Sequence, residues 1–123
     1  MSATGVDALA VAVGSSHAMT RQDARLDHRL IRRLATSLTV PLVLHGSSGV
    51  PDVELSAAVA AGIVKVNVGT ALNVACTGAI RAVLDDDRVV DPRTYLAQAR
   101  TAMTDTVAHL LQVLVPDADP DDG

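Results

Sequence analysis

Apolar positions along the chain follow two rhythms. Three short runs, Val6 to Val13, Val40 to Leu44 and Ile63 to Val68, are nearly continuous and rich in β-branched residues, the pattern of strands buried on both faces. Elsewhere apolar residues recur every three or four positions. Leu26, Leu30 and Leu34 mark one helix, and an alanine-rich stretch from Val53 to Ala61 marks a second. That stretch lies behind Pro51, with Asp52 and Glu54 where a helix start favours acids. Leu72, Ala75, Ala79 and Val83 mark a third helix. Leu96, Ala99, Met103, Val107, Leu110 and Leu114 carry a long last one, beginning just after Asp91-Pro92.

The predicted order is β-α-β-α-β-α-α with short connections, which argues for parallel strands joined by right-handed crossovers and hence an α/β fold. Three parallel strands make a small sheet with both edges unpaired, poorly suited to stand alone. No repeat or linker divides the chain. Residues 4–115 are expected to form one partial domain, and residues 116–123 an acidic, flexible tail.

Composition narrows the function classes. Of 123 residues 49% are hydrophobic, Tyr95 is the only aromatic side chain, and the formal net charge is -4. An acidic chain without interleaved aromatic rings is not expected to bind nucleic acid. The single cysteine, Cys76, excludes an intrachain disulfide and suits a reducing, cytoplasmic compartment. No apolar run reaches the roughly 20 residues of a membrane span, and the N-terminus lacks a signal-peptide pattern.

Candidate chemistry collects where the strands end: "VGSSHAM", "LHGSSGV" and "VNVGT" each put glycine and polar residues there. In open α/β sheets and in (β/α)8 barrels the carboxyl ends of the strands carry the site. His17 and His45 fall at matching ends of neighbouring strands. They are either loop residues bonded to backbone or imidazoles sharing one metal ion. Gly46-Ser47-Ser48-Gly49 and Gly69-Thr70 each precede a helix, and their small residues let a phosphate approach backbone amides and hydroxyls. Lys65 shares a face with Asn67 by period two. A strand lysine is the Schiff-base group of one aldolase chemistry, but two strand-end histidines have no part in that reaction, and a structural or carboxylate-paired role is expected for it. His28 and His109 fall on helical segments as expected surface residues.

"TGVDALAVAVGSSHAM", "VPLVLHGSSGV", "GIVKVNVGTAL" and "DPRTYLAQARTAM" resemble, in order and spacing, the C-terminal portion of the class II, zinc-dependent ketose-bisphosphate aldolases. The resemblance runs from about Thr4 to Leu114. It implies the last three βα units and terminal helix of a (β/α)8 barrel, a fold that needs roughly 250 residues in full. It implies that His17 and His45 are the second and third of three zinc histidines. It also implies substrate-binding roles for Ala18, Gly46, Ser47, Ser48, Gly49, Asn67, Gly69 and Thr70, with Asn67 on substrate oxygens and Thr70 on the phosphate. Arg93 matches a position near the substrate's far phosphate, and a plain helix-start arginine is the competing reading.

Departures accompany the matches. Ala18-Met19-Thr20-Arg21 replaces the family's glycine-x-tyrosine-lysine after the histidine, Ser47 stands where a second glycine is common, and Gly69 replaces a frequent aspartate. The first zinc histidine and the proton-moving aspartate would belong to the absent N-terminal half, so no catalytic base is expected in this chain. The expected ligand is a phosphorylated ketose or dihydroxyacetone phosphate. The expected macromolecular partner is the missing half or another copy of the chain. Truncation, a split gene and a non-catalytic phosphosugar-binding remnant all remain open, and the chain is expected to be inactive alone.

Overall fold

The computed structural model describes residues 4–15 and 21–115. Its elements are β1 (Leu9–Val11), α1 (His28–Ser37), β2 (Leu42–Leu44), a 3-10 turn (Ser47–Gly49), α2 (Asp52–Ala61), β3 (Ile63–Val66), α3 (Thr70–Val83) and α4 (Pro92–Leu114). The three strands form one parallel sheet in the order β1-β2-β3, each joined to the next through a helix, as the apolar rhythms predict.

Local chemistry sets the helix boundaries. The Asp27 side chain accepts from the Leu30 amide at 2.8 Å and caps α1. Leu26, one residue earlier, is buried in the core ahead of the helix and not on it. Pro51 precedes α2, and Asp52 and Glu54 occupy its first turn. Asp91 caps α4 by accepting from the Arg93 amide at 2.9 Å, with Pro92 at the first helical position.

Only the central strand is buried on both faces. Leu42, Val43 and Leu44 are all buried, whereas β1 has only half-buried and exposed positions and β3 buries Ile63 alone. The described strand β1 is also shorter than the apolar run that predicts it, and Val6 is exposed. Both differences have one cause. As edge strands among the described residues, β1 and β3 have a strand neighbour on one side only.

The core lies between the sheet and the first two helices: Ile31, Leu42, Leu44, Val50, Leu55 and Ile63 are almost fully buried there. Leu110, Val113 and Leu114 at the end of α4 pack against it. Helices α1 and α2 approach closely at Gly62 (φ 120°), where an added Cβ would lie 2.5 Å from the Ala35 Cβ.

The register separates the two faces of the sheet. Leu9, Leu42 and Ile63 form one row and Val11, Leu44 and Val66 another, all packed in or against the core. Between them runs the row Ala10, Val43, Lys65, which strand alternation turns to the opposite face. An irregularity in the β2–β3 pairing makes this possible: Leu42 pairs with Ile63 but Val43 with Lys65. The extra residue, Val64, is 68% exposed. No described helix is long and apolar enough to cross a membrane.

Candidate functional site

The carboxyl ends of the strands are sewn together by serine hydroxyls. Beyond β1, Ser15 Oγ donates to the His45 carbonyl at 2.6 Å. Beyond β2, Ser47 Oγ donates to the Asn67 carbonyl at 2.5 Å, and Ser48 Oγ accepts from the Ala71 amide at 2.9 Å. The small-residue loops after β2 and β3, both read from the sequence as open to a phosphate, are therefore one bonded structure. Gly46 starts it in the left-handed region (φ 65°, ψ 29°), a conformation glycine adopts without steric cost. The chain turns there directly from His45 into the 3-10 turn.

Each position implied by the resemblance can now be located. His45 follows β2 and is exposed. Continued alternation from Val43 would turn it to the face opposite Leu44, as alternation from Lys65 would turn Asn67. The Asn67 amide donates to the Leu44 carbonyl at 3.0 Å, so Asn67 is held at its amide by β2 and at its carbonyl by Ser47. Ser47 is 4% exposed and Gly49 is also buried. The Ser47 hydroxyl is spent inside the protein, which leaves its backbone as the part suited to a ligand. Ser48 accepts one hydrogen bond and keeps a proton to donate. Thr70 opens α3, whose preceding residue Gly69 has no side chain to cap the helix. Ser48 supplies that cap from the neighbouring loop. At Gly69 the backbone φ is -141°, and a Cβ would meet nothing within 4 Å, so sterics do not demand glycine in place of the family's aspartate. His17 and Ala18 lie outside the described residues.

The amino end of α3, with its partial positive charge, is thereby tied to the tight turn after β2 through Ser48. The contribution of Ser15 was not read from the sequence. Its signal was a hydroxyl in the polar loop that follows the first apolar run.

The fit to zinc is partial. Structural and catalytic zinc sites take at least three protein ligands, and among the described residues no three His, Cys, Asp or Glu side chains lie together. His45 offers one suitable imidazole at the strand end. His28 and His109 sit elsewhere and have other work. His28 Nε2 donates to Glu54 Oε2 at 2.9 Å and is part-buried, not a surface residue as expected. The same carboxylate oxygen accepts from the Leu26 amide at 2.9 Å. That backbone bond, and then the His28 bond, holds the Glu54 carboxyl below its ordinary pKa. His109 Nε2 bonds Asp52 Oδ2 at 2.8 Å between α4 and α2. Arg93 is clamped to Asp91 at 2.6 Å, the geometry of a helix-start ion pair. Lys65 is exposed on β3.

A parallel sheet whose strands alternate with helices, with its strand-end loops tied together by serine hydroxyls, defines an α/β chain. The comparisons with known proteins carry this further. The family model "Fructose-bisphosphate aldolase class-II" matches residues 1–117. Fructose-bisphosphate aldolase of Staphylococcus aureus (strain Mu50) is 41% identical over 105 residues, covering 85% of this chain and 37% of that protein. The YdjI aldolase from Escherichia coli K12 superposes with a TM-score of 0.77 at 30% identity, covering 94% of this chain and 41% of that one. The chain belongs to the class II fructose-bisphosphate aldolase family, and its fold is a portion of the (β/α)8 barrel. It spans less than half the length of the relatives it matches.

Proposed function

We propose that this chain is the cradle-bearing part of a class II ketose-bisphosphate aldolase. The reaction is reversible aldol cleavage of fructose- or tagatose-bisphosphate to dihydroxyacetone phosphate and glyceraldehyde 3-phosphate. The observation that carries this reading is the bonded pair of loops, Ser47 to Asn67 and Ser48 to Ala71, in a chain of this family.

The residues divide the work. The amides of the turn after β2, the Ser48 hydroxyl, the amino end of α3 and the Thr70 hydroxyl hold a phosphate of the substrate. The Asn67 carboxamide donates to an oxygen near the bond being broken, where negative charge grows as the carbon–carbon bond opens. His45, with His17, would hold zinc, which when bound polarises the substrate ketone. Gly69 leaves room beside the phosphate. The group that moves the proton belongs to the portion of the relatives that this chain does not span, so the chain alone binds phosphosugar without cleaving it.

The test is complementation. The chain is co-expressed with the N-terminal portion of a related class II aldolase, and cleavage of each ketose bisphosphate is followed by coupled assay. Cleavage by the mixture, abolished by a chelator and by His45→Ala, is the expected result. The reading is overturned by a chain that cleaves alone at rates usual for enzymes, on the order of 1 per second, or by a mixture indifferent to His45→Ala. Binding of dihydroxyacetone phosphate without cleavage by any mixture would make the chain a phosphosugar-binding remnant.

A further inference from the structure

Asn67 is the residue on which the proposed chemistry turns, and it stands just beyond the last hydrogen-bonded pair of an edge strand. Such a position frays easily, because a strand end paired on one side has few bonds to fix it. Two contacts counter this. The Asn67 amide is bound to the Leu44 carbonyl at 3.0 Å, and its carbonyl receives the Ser47 hydroxyl at 2.5 Å. Fixing the peptide groups on both sides of one Cα fixes the direction of its Cα–Cβ bond. The Ser47 hydroxyl is buried, so water does not compete for this bond.

We propose that Ser47 is a positioning residue for substrate binding: its hydroxyl aims the Asn67 carboxamide, and the Ser47 side chain does not itself touch the substrate. This rests on the aldolase reading of the site. Ser48, next in sequence, makes the second tie by capping the Ala71 amide at 2.9 Å. Neighbouring serines thus hold both ends of the Asn67–Ala71 segment. They act on different things: Ser48 steadies the amino end of α3 and hence the phosphate seat, and Ser47 steadies the side chain that reads the rest of the substrate.

This division predicts a split between ligands. A ligand with only a phosphate uses the seat, whereas dihydroxyacetone phosphate also uses Asn67. The experiment is an NMR titration of the 15N-labelled full chain with inorganic phosphate and with dihydroxyacetone phosphate, following the Asn67 side-chain NH2 and the Thr70 amide.

In the unaltered chain both ligands should move Thr70, and only dihydroxyacetone phosphate should move the Asn67 side chain. In Ser47→Ala, affinity for dihydroxyacetone phosphate should fall about tenfold, the scale of one hydrogen bond to the ligand, while phosphate affinity changes less than about twofold. Ser47→Thr, which keeps the hydroxyl, should restore the difference. Should Ser47→Ala fail to fold, Ser47→Cys, whose thiol is a weak donor, carries the same comparison. Unchanged dihydroxyacetone phosphate binding in Ser47→Ala, or equal loss of both ligands, overturns the inference and leaves the aldolase reading standing. An unaltered chain that responds to neither ligand overturns both.

Discussion

The sheet with α1 and α2, and the α3–α4 pair, use similar apolar residues in different ways. In the first region Ile31, Leu42, Leu44, Leu55 and Ile63 are closed off from solvent. In the second, α3 buries no residue and α4 buries only Ala99. Val74, Leu96 and Leu111 are each at least 50% exposed. An apolar groove of about 630 Å³, lined by Cys76, Leu96, Met103, Val107 and Leu111, lies open along α4. Apolar content alone does not make a core. The sheet supplies a flat layer that two amphipathic helices can cover, whereas two helices side by side close only the seam between them. The α3–α4 pair is attached to the rest by the apolar end of α4, Leu110, Val113 and Leu114, and by a few polar ties, Ser48 to Ala71, Ser56 to Val113 and Asp52 to His109.

The contrast is tested most severely by truncation. Leu44→Ala should cost about 2–5 kcal/mol, the range for large-to-small changes in a closed core. Leu111→Ala should cost about 0.5 kcal/mol or less, as for exposed positions. Urea unfolding of both variants measures the difference, and equal losses would erase the distinction between the regions.

Next in size is Gly62→Ala. Its φ of 120° disfavours a side chain, and the new methyl would press on Ala35. A loss above about 1 kcal/mol is expected, read as a lowered melting temperature, while Gly78→Ala on α3, where a Cβ meets nothing within 4 Å, should be neutral or stabilising.

A smaller effect depends on pH. The Leu26 amide and His28 favour charged Glu54, so its folded pKa lies below the ordinary 4.5. The resulting stabilisation is complete above the ordinary value and is lost as pH falls through the lower folded one. Unfolding midpoints against pH should therefore drop on acidification more steeply in the unaltered chain than in Glu54→Gln. Parallel curves would mean that this tie between α2 and the start of α1 carries no weight.

The smallest effect belongs to the second region. The His109–Asp52 pair is half-exposed, and His109→Ala should cost less than about 1 kcal/mol in urea unfolding.

Legibility followed the same divide between local and distant causes. The strand centres, the start of α4 at Pro92 and the glycine-serine loops were visible because each is written in neighbouring residues. The Ser47 bond to Asn67 spans 20 positions, and that of His28 to Glu54 spans 26. No periodicity encodes such a pairing, so Ser47 read as a residue facing the ligand and His28 as one facing water. The end positions of β1 were misjudged because an apolar run shows what could be buried, and only a neighbouring strand decides whether it is.

The irregularity at Val64 acts as a change of phase in β3. Before it, the odd-numbered Ile63 points to the helices; after it, the odd-numbered Lys65 and Asn67 point away from them. One residue thus reconciles two demands that strict alternation would set against each other, an anchored strand start and a strand end that serves the site. Deleting Val64 would preserve the composition of the strand almost entirely. It would also leave Ile63, Lys65, Val66 and Asn67 in ordinary alternation on the faces they already hold, whereas straightening the irregularity with Val64 in place would reverse the parity of everything after it.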